Sequence, residues 1–121
     1  MITLKTLSTA TAQEVFDQVA KHLLTQKERC VDESGRCSYR NNKGLKCAAG
    51  CLINDDEYKS YFEGVWWAAF PRRFRVTLKH CDLITKLQSI HDATSIQGWE
   101  QGLRNLAKYF RLEWKGEEYV Q

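Results

Sequence analysis

The sequence predicts a small, mainly α single domain spanning residues 1–121, with a short β-hairpin or irregular insert. Three observations carry that expectation. Two segments, residues 12–26 and 96–111, repeat apolar residues at helical spacing and begin beside capping-type residues. Residues 27–46 have no apolar period and are rich in turn formers, which leaves a small α+β arrangement open if they pair as strands. With 121 residues, of which 43% are hydrophobic and 27% charged, the chain can bury about 65% of the surface that it exposes when unfolded. It needs neither a disulfide nor a metal simply to fold, and its composition excludes disorder, collagen-like repeats and a disulfide-dense miniprotein.

The elements follow in chain order. Thr11 with Glu14 forms a capping-box pair, so a helix begins at Ala12; Val15, Phe16, Val19, Ala20, Leu23 and Leu24 make one stripe as far as Gln26. Turns at Asp32–Gly35 and Asn41–Gly44 flank Arg36–Arg40, which reads as a short strand or hairpin. Cys47–Ile53 is apolar but too short for a helix by itself, and Asn54–Glu57 supplies the cap of a short helix through Phe62. Gly64–Phe70 fits a short helix and a buried strand equally, and Pro71 should stop whichever precedes it. His80, Leu83, Ile84, Leu87, Ile90 and His91 share a helical face. Thr94 with Gln97 repeats the capping-box spacing ahead of Ile96, Trp99, Leu103, Leu106, Ala107 and Phe110, a stripe ending near Arg111. The first and last helices should pack through Phe16, Val19, Leu23, Leu103, Leu106 and Phe110. The tail Leu112–Gln121 alternates weakly.

Charge restricts function less than fold. Eighteen Lys and Arg against fifteen Asp and Glu give a formal +3, too little to commit the whole surface to nucleic acid or anionic lipid. The one basic stretch lies between Pro71 and Lys86. The longest apolar run, Val65–Phe70, is far short of a membrane span, and the start has no apolar core of signal-peptide length. A cytoplasmic protein without a membrane partner is therefore expected, and structural disulfides among Cys30, Cys37, Cys47, Cys51 and Cys81 are not.

Three constellations can carry chemistry. Cys30, Cys37, Cys47 and Cys51 are spaced C-x6-C-x9-C-x3-C, and His22, His80 or His91 could replace a thiol as a zinc ligand; the alternative is that the thiols are small buried hydrophobes. Cys47 should lie at a helix N-terminus, where a thiolate is favoured, so Cys47 with His91 and Asp92 could form the centre of a Cys-dependent hydrolase or transferase. Asp92 would orient His91 only if the helix ends there. Trp66, Trp67, Phe70, Arg72, Arg73, Phe74 and Arg75 interleave aromatics with cations. They fit a protein-binding patch, a nucleotide or nucleic-acid site along Arg72–Lys79, or a core of aromatics beneath a solvated basic face.

Several of these segments together have a counterpart elsewhere. His22-Leu23-Leu24-Thr25-Gln26, Cys37-Ser38-Tyr39-Arg40, Gly44-Leu45-Lys46-Cys47-Ala48-Ala49-Gly50-Cys51-Leu52-Ile53, Asp56-Glu57-Tyr58 and Leu87-Gln88-Ser89-Ile90-His91-Asp92 resemble a family of short proteins of tailed bacteriophages and bacteria. The resemblance covers most of the chain. It implies a setting, not a mechanism, and it includes Cys37, Cys47, Cys51 and His91 but not Cys30, which makes those four the better metal set. Small phage proteins of this kind often bind a host protein to block a defence system or redirect an enzyme. The expected function is accordingly a non-enzymatic accessory protein that binds and modulates a host or bacterial macromolecule, with no catalytic residue and no required cofactor.

Overall fold

The computed structural model describes residues 1–120, and four α-helices occur among them. The first, α1 (Ala12–Gln26), starts at the expected capping box: the Thr11 hydroxyl accepts the Glu14 N–H at 3.1 Å while the Glu14 carboxylate accepts the Thr11 N–H at 2.9 Å. Its apolar stripe is buried as the spacing requires. The edge of α1 carrying Gln18, His22 and Gln26 is not simply solvated. Gln18 bonds both backbone groups of Ile2 and the Cys51 carbonyl, while His22 and Gln26 both donate to the Lys46 carbonyl.

Helices α2 (Phe70–Phe74), α3 (Cys81–Ala93) and α4 (Trp99–Tyr109) complete the set. The core lies between α1, α3 and α4, where Phe16, Val19, Leu23, Leu83, Ile84, Leu87, Trp99 and Leu103 are almost wholly enclosed. Leu106 is buried with them and Phe110 only half so. The tail closes the open side of α1 through a 3-10 turn at Gly116–Val120. There Tyr119 packs edge-on against Phe16 and donates its hydroxyl to Asp17, which also holds Lys115 at 2.6 Å.

Between α1 and α2 the chain is irregular. Arg36–Arg40 is neither a strand nor part of a ladder: single antiparallel bridges, Val31 to Cys37 and Arg40 to Lys46, close two separate turns at Asp32–Gly35 and Asn41–Gly44. Each turn uses a glycine at positive φ, Gly35 and Gly44. The Ala49–Leu52 segment winds into a 3-10 turn pressed against Tyr39, and a Cβ added at Gly50 would lie 2.2 Å from the Tyr39 carbonyl oxygen.

Four local expectations need correction. Asn54–Glu57 is a turn, and an extended Lys59 separates it from a 3-10 turn at Ser60–Phe62. Pro71 opens α2 instead of stopping an element, because its missing N–H falls in the first turn, where no intrahelical partner exists. His80 precedes α3 in the left-handed region (φ 64°) and binds the Ala10 carbonyl, so it is off the helical face of Leu83 and His91. No Thr94 capping box forms: Ile96–Gly98 is a 3-10 lead-in to α4, and the Thr94 carbonyl instead accepts from the Trp99 indole and Arg29.

Candidate functional site

The end of α3 gathers the first candidate site. His91 is fully buried, stacks on Trp99 and accepts the Cys30 N–H at Nε2 (2.9 Å). A neutral imidazole has one N–H, so the proton is on Nδ1, which donates to Asp92 Oδ1 at 2.7 Å. Adjacent residues of a helix interior cannot pair in this way, but α3 ends at Ala93. Gln88, one turn earlier, links the Ala49 N–H to the same Asp92 oxygen. Cys37 brings its thiol to Asp92 from the insert. Burial alone would raise the Asp92 carboxyl pKa, but the hydrogen bonds from His91 and Gln88, with the Cys37 thiol within 4.8 Å, outweigh it and hold the group below its ordinary value. The thiol moves the other way: desolvation, then the bond to the Asp92 anion and its charge, push Cys37 up to about 11.

The other cysteines are dispersed. Cys47 is enclosed beside the 3-10 turn, where its sulfur accepts the Gly50 N–H, yet burial pushes its pKa well above the ordinary thiol value. Both His91 nitrogens are already engaged, so no imidazole nitrogen is left for Cys47, and the pairing of Cys47 with His91 is not formed. Cys51 donates to the Ala48 carbonyl and is pushed up to about 12 by burial, while Cys30 lies against Ser38 and the Leu45 carbonyl. The set Cys37, Cys47, Cys51 and His91 is therefore not assembled; the ligand-type atoms that do meet, within 4.8 Å, belong to Cys37, His91 and Asp92. Ligation through His91 Nδ1 would move its proton to Nε2, directly against the Cys30 N–H. As arranged, the cluster is a hydrogen-bond relay that ties the insert to α3. His22 and His80 are likewise each bonded to a backbone carbonyl, of Lys46 and Ala10.

The aromatic and basic stretch forms the second candidate site, and its seven predicted residues separate into two faces. Trp67, Phe70 and Phe74 point inward with Pro71, and of these Trp67 and Phe70 are enclosed and belong to the core, so they are not on the exposed face. Trp67 stacks on Phe70 with centroids 4.6 Å apart, and Phe70 and Phe74 both pack on Phe62. Trp66 is 82% exposed, and Arg72, Arg73 and Arg75 are also exposed. The signal that separates the faces is present in the sequence: Trp67, Phe70, Pro71 and Phe74 have the i, i+3, i+4, i+7 spacing of a helical stripe. Among the described residues, no carboxylate pairs with Arg72, Arg73 or Arg75. The acids that flank them in sequence are engaged elsewhere: Glu63 is held by the Tyr39 and Arg40 N–H groups and the Tyr58 hydroxyl, and Asp82 pairs with Lys86. Lys79 differs from the arginines because its ammonium donates to the Ser8 carbonyl.

Residues that the sequence reading missed are Arg29, Gln88 and the Cys30 backbone. Arg29 donates to the carbonyls of His91 and Thr94 at the end of α3. Gln88 and Asp92 have the i, i+4 spacing of a helical side-chain pair, which was available as a signal. No family model, curated protein or solved structure matches the chain.

Proposed function

We propose that this protein is a non-enzymatic accessory protein that binds and modulates a bacterial protein through the surface of Trp66, Arg72, Arg73 and Arg75. The observation that carries this reading is an almost fully exposed tryptophan and, on the same stretch of chain, three exposed arginines without ion-pair partners among the described residues, with the buried aromatics Trp67 and Phe70 between them in sequence. Trp and Arg are the residues that most often anchor protein interfaces, and a rigid support lowers the entropy lost when they dock. The sequence resemblance to short phage proteins supplies the setting, a host protein as target. The Cys-dependent reading finds less support, because Cys47 has no free base and burial raises its thiol pKa well above the ordinary value. Nucleic acid remains the second class to separate, since the same arginines could neutralise phosphates.

The test is affinity capture from nuclease-treated bacterial lysate with the wild type, Trp66→Ala and the Arg72→Ala/Arg73→Ala/Arg75→Ala variant, followed by affinity measurement with the purified captured protein. A specific protein should be retained by the wild type, and each variant should weaken it by roughly 30-fold or more, as expected for an interface anchor. Thermal stability should hardly change. Equal recovery by all three proteins, or retention that vanishes with nuclease treatment, would remove the proposed surface.

A further inference from the structure

Beside this surface a groove of about 480 Å³ opens between the N-terminal segment, the turn after Ile53 and the link from α2 to α3. Lys5, Lys59 and Arg75 line it from three different parts of the chain. None of their side chains has an ion-pair partner among the described residues, although Asp56 and Glu57 line the same groove. The reason is local. Glu57 accepts the N–H groups of Leu4, Lys5 and Asn54 at 2.9–3.0 Å, and Asp56 accepts the Asn54 side-chain amide at 2.7 Å. The acids thus hold the turn and the N-terminal segment together, and the cations stay unmatched. Thr77 Oγ1 accepts the Lys79 N–H, which leaves its hydroxyl proton free to donate into the groove.

We infer that this groove is an acidic-residue subsite of the docking surface, taking one Asp or Glu side chain from an acidic segment of the partner protein between Lys5, Lys59 and Arg75. The inference rests on the proposed function and narrows it to a partner with clustered carboxylates. The lining carries three cations and two carboxylates, an excess of positive charge that suits a carboxylate. Arg75 joins the two regions, because the left-handed turn at this residue (φ 57°) redirects the chain from the exposed face of α2 into the groove wall.

Titration of the isotope-labelled protein with a hexaglutamate peptide at low salt tests the subsite, with inorganic phosphate and an eight-nucleotide oligo-dT as competing probes. The peptide should shift the amide signals around Lys5, Lys59 and Arg75. Lys5→Ala/Lys59→Ala should weaken it about tenfold, and Lys43→Ala, a control outside the groove lining, less than twofold. Both groove lysines are exposed and use no side-chain bond, and the Lys5 N–H that holds Glu57 survives substitution, so melting temperature should be retained. No peptide binding, less than a twofold loss in the double variant, or stronger binding of phosphate or oligo-dT at these residues would overturn the subsite. None of those results alters the Trp66 capture experiment, which judges the docking surface separately.

Discussion

Asp92 receives hydrogen bonds from His91 and Gln88, and its charge acts on the Cys37 thiol within 4.8 Å of it. Replacing it by Asn removes the anion beside the Cys37 thiol but leaves its desolvation, the larger cause of the shift, so the Cys37 pKa should fall part of the way from about 11 towards the free-thiol range. Alkylation of Cys37 by iodoacetamide at pH 8 should then accelerate severalfold, while Cys47 stays slow in both proteins until they unfold. An unchanged Cys37 rate would show that the carboxylate does not control it. The carboxyl itself titrates lower in the folded state than in the unfolded chain. Its contribution to stability is therefore complete above the unfolded value of about 3.9 and is lost as pH falls through the lower folded value. Urea unfolding should separate wild type from Asp92→Asn at pH 6, and the separation should shrink by pH 3. That His91 and Asp92 pair was legible from their adjacency at a helix end. That Cys37 and not Cys47 joins them was not, because it depends on how an aperiodic insert docks.

In the turns that lead into α2, adjacent residues have opposite roles. Trp66→Ala should change unfolding free energy by less than about 0.5 kcal/mol, the range of exposed sites, whereas Trp67→Ala should cost about 3–5 kcal/mol because it empties the stacking position on Phe70. Chemical denaturation of the two variants measures both values, and equal losses would place both indoles in the same environment. Gly64–Phe70, which read equally as strand or helix, is neither: it runs through turns and only Phe70 enters α2, whose five residues give little more than one turn, and Pro71 marks a start and a stop equally in composition. The longer helices were legible because their stripes repeat over three turns or more. The Thr94 and Gln97 pair shows the opposite failure, a capping spacing whose carbonyl and lead-in residues were taken by Trp99 and Arg29.

For the whole molecule, the three long helices and the tail form one packed unit, and the insert joins it through buried residues such as Cys30, Cys47, Leu52 and Ile53 and through individual polar contacts. Leu103 is fully enclosed among these helices, and Leu103→Ala should lower stability by about 2–5 kcal/mol through lost transfer energy and a residual cavity. A loss under 0.5 kcal/mol would exclude it from the core. The mainly α class was legible because it depends on repeating patterns; the path of residues 27–64 was not, because its determinants are single bonds between residues distant in sequence. Arg29 reaches His91 and Thr94, the Cys30 N–H reaches His91, and His22 and Gln26 reach the Lys46 carbonyl. Those bonds have no partner until α1 and α3 are in place, which orders events in time. The insert should condense after the rate-limiting barrier, so Arg29→Ala should speed unfolding about tenfold while leaving the refolding rate almost unchanged in stopped-flow measurements. Slower refolding instead would mean that the insert belongs to the folding nucleus.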